Sequence, residues 1–432
     1  MSDTLIRSTP PAARPLHNIP FPAFELRHLD NGVPVYLLPY GTVPVAEVQA
    51  IFKAGKNYQP GIGIARYTAR NMSEGTASYD TLTLARRLDE AGAWLSSEVE
   101  EEHIAFKLAA VATKLPQTLP LMQEVLQSPV FPAMELHQMK DRALQRMSVN
   151  EQKTSWLAQR AFKSRMFGAD HPYGVTIRRE DMASITRDKL VDYHAAMLHP
   201  GNMTLTVTGR FDVDAVMDML QAAFGTQPMR TPHQGPARPA QMPPVFTPGF
   251  HQVPLEGMQA SLRLGHPGMD RFHPDYHRMV IVNTLLGGYF GSRLMKNIRE
   301  EKGYTYGIYS GWAANRYAGY FVVQADVGNA YIRPTIAEVK AEMYQLMEHG
   351  ASEDELELVR NYMVGRTMDQ RETPFQMSDL LRYAFAMDLP LQELDKRFEV
   401  LRDIRAEEIG PLAAQYLKPE EMTEIVAGAL PA

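Results

Sequence analysis

The chain of 432 residues contains no cysteine. That absence excludes disulfides, thiolate nucleophiles and cysteine-based zinc sites, and it fits any compartment. No apolar run approaches the ~20 residues that a membrane-spanning helix requires. Basic residues are not in excess: 44 Lys and Arg stand against 50 Asp and Glu, a net charge of -6. A nucleic-acid binder, which would carry a basic surplus, is therefore not expected. The opening residues Met1-Ser2-Asp3-Thr4-Leu5-Ile6-Arg7-Ser8 lack the basic start and apolar run of a secretory signal. The expectation is a cytoplasmic protein, or a periplasmic one if a signal has been removed ahead of Met1.

What is present is an ordinary apolar fraction, 45%, enough for a sizeable core. The length suggests two to three domains. A proline-rich stretch from Thr226 to Pro248 carries Pro228, Pro232, Pro236, Pro239, Pro243, Pro244 and Pro248. Such a stretch favours an extended, stiff connection over helix or central strand. The expected division is a first domain over 1–228, a linker over 229–246 and a second domain over 247–432.

The two halves repeat each other. Leu198, Pro200, Met203, Thr204, Val207 and Gly209 match Leu417, Pro419, Met422, Thr423, Val426 and Gly428 at one constant offset. Ile185 and Ile404 keep it too. Each block reads as a helix end, a proline turn and a strand. Coincidence among common residues is the competing explanation, but a fixed offset over so many positions favours duplication. Elsewhere, Val33–Leu38 and Val45–Phe52 read as strands joined by a turn at Pro39-Tyr40-Gly41. Leu82, Leu84, Ala85 and Leu88 suit one helix face that stops at Gly92. Ala215–Phe224 reads as a helix with Asp212 or Asp214 as its N-cap and Gly225 at its end. Strands and helices do not alternate strictly, so the fold class expected is α+β with antiparallel sheets.

The segment from Gly63 to Thr76 resembles the zinc-site segment of the pitrilysin and mitochondrial-processing-peptidase family, Gly-x-Ala-His-x-x-Glu-His followed by Gly-Thr. Gly63, Ala65, Gly75 and Thr76 fall in register. Arg66 and Arg70 stand where the family has its two histidine ligands, and Ala69 stands where it has the water-activating glutamate. The family's third ligand, a glutamate, aligns near Gln145-Arg146, with Glu151 a few residues beyond. Two histidines four apart on a helix can share a metal while the glutamate takes a proton from bound water. Arginine remains protonated and has no lone pair to offer, and alanine is no base. The resemblance therefore implies a chain without a zinc site of its own. It continues through His171-Pro172-Tyr173-Gly174, Ile185-Thr186 and His199-Pro200-Gly201-Asn202-Met203, and so spans most of the chain.

The second half carries Leu286-Gly287-Gly288-Tyr289-Phe290-Gly291-Ser292-Arg293-Leu294, then Ile298-Arg299-Glu300-Glu301-Lys302-Gly303-Tyr304-Thr305-Tyr306. This is similar to the family's C-terminal signature, in which an arginine and a tyrosine seven residues later reach the zinc site. They map here to Arg299 and Tyr306. A guanidinium can hold a substrate carbonyl or carboxylate with two donors, and a phenol can donate to an oxyanion. The competing reading pairs Arg299 with Glu300 or Glu301 and buries Tyr306 in the core.

Other candidates carry less. Gly287-Gly288-x-x-Gly291 lacks the Gly-Lys-Ser/Thr ending of a phosphate loop and reads as a tight turn. His273 and His277 have metal-ligand spacing, but Pro274 and Tyr276 stand where a zinc motif needs glutamate. Glu98, Glu100, Glu101, Glu102 and His103 form an acidic run, read as a solvated face or else as a surface for basic peptides. Ser8, Ser73 and Ser292 have no triad partners legible in sequence order.

The resemblance implies two homologous halves, each an antiparallel sheet flanked by helices, forming a clam-like shell. It also implies a heterodimer with a homologous zinc-binding peptidase subunit that carries His-x-x-Glu-His, acting on unfolded peptides. The chain would hold no metal, would be inactive alone, and would supply Arg299 and Tyr306 in trans. The alternatives are a non-catalytic structural subunit of a larger assembly and an autonomous enzyme with an unrelated site.

Overall fold

The computed structural model describes residues 21–231 and 245–430. The first half forms a six-stranded sheet from β1 (Glu25–His28), β2 (Pro34–Pro39), β3 (Val45–Phe52), β4 (Trp94–Val99), β5 (Ile104–Val111) and β6 (Met203–Gly209). Its order is β1-β2-β6-β3-β5-β4. The second half forms a five-stranded sheet from β7 (Gly249–Val253), β8 (Gln259–Gly268), β9 (Thr305–Ala314), β10 (Gly319–Gly328) and β11 (Thr423–Ala427), in the order β7-β11-β8-β10-β9. These orders are the same arrangement, with β1 as an extra edge on the first sheet. The α+β class with two matching halves holds.

The sheets are mixed, however, where antiparallel ones were expected. The last strand of each half inserts beside an early strand and runs parallel to it: β6 with β2, and β11 with β7. The same strands run antiparallel to β3 and β8 on their other sides. So β2 and β3, sequential and joined by a turn, are not partners. The helix Arg187–Met197 carries the chain back across the sheet before β6, and a helical return of this kind permits parallel pairing. Its counterpart Ala406–Tyr416 lies at the repeat offset and precedes β11 in the same way.

Local signals placed most elements. Asp212 caps Val213–Phe224 by accepting from Ala215 N at 2.8 Å. Asp214, the other candidate, sits in the first turn and pairs with Arg27 at 2.7 Å. The helix Thr81–Glu90 begins at Asp80, whose carboxylate accepts from Thr83 N. Most of the proline-rich stretch, residues 232–244, lies outside the described residues.

Each half has its own core, yet each lends a helix to the other. The helix Thr154–Phe167 belongs to the first half by sequence but packs on β8 and β11. It buries Ala158, Phe162, Met166 and Phe167 against Ile425 and Ala427. At the repeat offset, the helix Pro374–Ala386 packs on β6 and β3 of the first sheet, with Met377 and Leu381 against Leu38. Burying each such side chain stabilises by roughly 1.5–3 kcal/mol. A capping box at Thr373 and Gln376, with Pro374 in the first turn, starts the second of these helices.

Polar groups join the same seam. Arg382 reaches Glu98 at 2.9 Å and Asp379 at 3.0 Å, while Lys107 binds Glu98 at 2.7 Å and Asp379 at 2.6 Å. The acidic run is therefore not a free solvated face. Glu98 meets the second half, Glu101 pairs with Lys56 at 3.0 Å, and Glu102 is buried, accepting from Asn57 and from the Tyr173 hydroxyl. Among the described residues no helix is long and apolar enough to cross a membrane.

Candidate functional site

The degenerate motif lies on the helix Ile64–Met72. Gly63 caps it in a left-handed conformation, φ 92°, where a Cβ would come within 2.9 Å of the Ile177 side chain and 3.0 Å of the Ile185 side chain. The helix buries Ile64, Ala65, Thr68, Ala69 and Met72 toward the sheet and turns Arg66 and Arg70 outward. Positions 66 and 70 share a face because they are one turn apart. Arg146, on the helix Ala133–Asn150, faces the same space. Arg66, Arg70 and Arg146 thus line one cavity of about 520 Å³. Glu151 does not line it; its carboxylate is held by Arg179 at 2.6 and 3.2 Å.

The electrostatics follow. Burial in the cavity wall, then the neighbouring Arg66 and Arg146 guanidiniums, push the Arg70 pKa below its ordinary value. Burial raises that of Tyr67, which the three arginines partly offset. No three of His, Cys, Asp and Glu come together as a metal-binding group among the described residues. A zinc site of the family's type does not fit here: three guanidiniums offer no lone pair and repel a dication. Sequence reading missed Arg142, Trp156 and Arg160 in the lining. Arg142 was within reach, one helical turn before Arg146; the other two come from a helix that the sequence does not place.

The second predicted pair is assembled elsewhere. Arg299 lies in the π-helical turn Met295–Glu301 and Tyr306 in the edge strand β9. Arg299 Nε donates to the Tyr306 carbonyl at 3.1 Å, and its guanidinium lies 4.5 Å from the Phe290 ring centre and 3.6 Å from Glu300. Tyr306 is 94% exposed, so it is not a core residue. Both line an open cavity of about 680 Å³ with Tyr304, Tyr331 and Asp326. This cavity shares no lining residue with the arginine cavity.

His273, His277 and Gly287 have structural surroundings, Ser73 lines the arginine cavity, and Ser8 lies outside the described residues. His277 is buried, 3.4 Å from Glu393, and burial and then Arg271 lower its pKa to about 4. His273 accepts from Asp275 N and packs edge-on against Tyr416. Gly287 sits where a Cβ would be 2.5 Å from the Ser310 hydroxyl, so packing explains this glycine.

Comparison with known proteins places these features. Residues 39–178 match the family model described as Insulinase (Peptidase family M16), and residues 184–363 match Peptidase M16 inactive domain. The chain is 21% identical over 395 residues to an uncharacterized zinc protease of Rickettsia felis, covering 89% of this chain and 93% of that one. It is 20% identical over 390 residues to the non-peptidase homolog YmxG of Helicobacter pylori, with 90% and 89% covered. The fold is similar to the crystal structure of a peptidase M16 inactive domain from Pseudomonas fluorescens, with a TM-score of 0.84, 23% identity and 95% and 98% of the two chains covered.

Proposed function

The chain belongs to the M16 (insulinase) peptidase family in both its N-terminal and C-terminal halves, and from that premise we propose that it is the zinc-less subunit of a two-chain metallopeptidase. A homologous partner carrying His-x-x-Glu-His supplies the zinc and the base. This chain supplies Arg299 and Tyr306 to the partner's site. The substrates are unfolded peptides, and the chain is inactive alone.

One observation carries the reading: the metal-ligand positions are arginines and the base position is alanine, while the Arg299–Tyr306 pair is presented whole, with the phenol free in solvent. The pair also lines a cavity separate from the arginine cavity of its own chain, which suits a role across a subunit boundary. Arg299 holds the carbonyl of a bound peptide or its carboxylate. The Tyr306 hydroxyl donates to the oxygen that gains negative charge as the carbonyl becomes tetrahedral, a contact formed fully only near the transition state.

A structural subunit without catalytic part is the second reading, and the likeness to a relative named a non-peptidase homolog favours it. Co-purification from the native source decides between them. A stoichiometric partner of the same family with His-x-x-Glu-His, and zinc-dependent peptidase activity only in the pair, supports the proposal. Recovery with a non-peptidase assembly alone overturns it.

A further inference from the structure

The arginine cavity continues into a second of about 450 Å³; Arg66, Trp156, Arg160 and Ile177 line both. The resulting groove is lined by seven cations, which are Arg66, Arg70, Arg142, Arg146, Arg160, Lys56 and Lys163. Against them stand three carboxylates, Glu74, Glu101 and Asp170. Glu101 is occupied by Lys56, and Arg160 donates to the Ile177 carbonyl while lying over the Trp156 ring. Among the described residues, Arg66, Arg70, Arg142, Arg146 and Lys163 have no ion-pair partner closer than 4.0 Å.

This surplus sits on a protein whose net charge is -6. It is therefore local, set by the groove. Like charges one turn apart on a helix are destabilising, so Arg66 and Arg70 weaken the fold unless something anionic enters. The guanidinium fork suits a carboxylate, which it can hold with two parallel hydrogen bonds. Three further features match a polypeptide better than a small free anion. The groove spans two connected cavities, it includes the apolar walls of Tyr67, Met139 and Trp156, and it runs along Leu95–Ser97 of β4. That strand ends the sheet, so one side of its backbone has no strand neighbour to pair with.

We propose that the groove around Arg66, Arg70 and Arg146 binds an acidic peptide segment, the arginines holding its side-chain or terminal carboxylates where metal-binding relatives hold a cation. This chain would then select acidic stretches of polypeptide independently of the role assigned to Arg299 and Tyr306, which lie outside the groove.

The test uses the full chain and a fluorescein-labelled peptide of alternating Glu and Gly, with the Gln counterpart as control, read by fluorescence anisotropy. The Glu peptide is expected to bind about tenfold tighter or more than the Gln peptide, the difference made by charge-assisted hydrogen bonds. Raising salt weakens it. Arg70→Gln with Arg146→Gln abolishes the preference, while Arg70→Lys with Arg146→Lys keeps part of it, since charge remains and the fork is lost. If circular dichroism shows the Gln pair unfolded, Arg66→Gln alone serves and lowers affinity in the same direction. Equal affinity for the two peptides, or full affinity in a folded Gln variant, overturns the proposal. Inorganic phosphate binding as tightly as the Glu peptide would overturn the peptide assignment in favour of a free-anion site. Stronger capture of a short single-stranded DNA would overturn it in favour of nucleic acid.

Discussion

Arg299 and Tyr306 are joined through backbone rather than through their reactive ends: Arg299 Nε donates to the Tyr306 carbonyl at 3.1 Å. That bond fixes the guanidinium at the rim of an edge strand, with Glu300 3.6 Å from Nη1 and the phenol exposed. Seven residues of separation are thus closed by a turn from the π-helical segment into β9.

If the chain serves the proposed two-chain peptidase, Tyr306→Phe should lower kcat/KM of the pair by about 100-fold or more, the usual effect of removing an oxyanion donor. Arg299→Ala should lower it as well. Neither should dissolve the complex, and Tyr306→Phe should leave the melting temperature unchanged because the ring is 94% exposed. Steady-state kinetics and sedimentation check both; unaltered kcat/KM in both variants would favour the structural-subunit reading.

Because positions 66, 70 and 146 line one cavity, a zinc site should be recoverable there. Arg66→His with Arg70→His should bind zinc weakly. Adding Arg146→Glu should bring retention to about one zinc per chain after dialysis, three ligands being the set of a catalytic site. Elemental analysis reads the difference, and equal retention by the double and triple variants would deny a role to position 146.

Phe167→Ala should destabilise the protein by about 3–5 kcal/mol, the range for a buried aromatic. Phe167 is 1% exposed and meets Tyr173 and Tyr320, one from each half. Denaturant unfolding should show the loss in a single transition; a low-denaturant phase confined to one half would contradict the shared helix as a common element.

Acid should weaken the seam through His103. Arg382 Nη1 donates to His103 Nε2 at 3.1 Å, so that ring is neutral. Burial, then Arg382, lower its pKa to about 3. Between the ordinary value of about 6.5 and that point the unfolded chain binds more protons, so stability falls as pH falls, by about 1.4 kcal/mol per pH unit. Melting temperatures measured from neutral to acid pH should decline, and His103→Gln should flatten the curve. An unchanged slope in that variant would place the acid sensitivity elsewhere.

Much of this was legible because its signals are local or periodic. The offset that aligned Leu198 with Leu417 also aligns whole helices, and Arg66 and Arg70 declared their shared face by spacing alone. The parallel pairs β2–β6 and β7–β11 were not legible, since pairing between distant strands is settled by the sheet and not by either strand. The same holds for Glu102 and His103. A run of charges reads as surface until the other half supplies Arg382, and Tyr173, distant in the chain, closes over Glu102. Trp156 and Arg160 entered the groove for a like reason, through a helix committed to the opposite sheet.

That exchange of helices bears on descent. A repeat whose copies each kept their own covering helix could shed one copy or pass it on separately. Here the helix Thr154–Phe167 shelters the apolar face of the later copy, and the helix Pro374–Ala386 shelters that of the earlier one. Parting the two halves would bare both faces at once. In that sense the repeat is locked: residues at the surface of either half can change without disturbing the other, but neither half can leave without uncovering its neighbour's sheet.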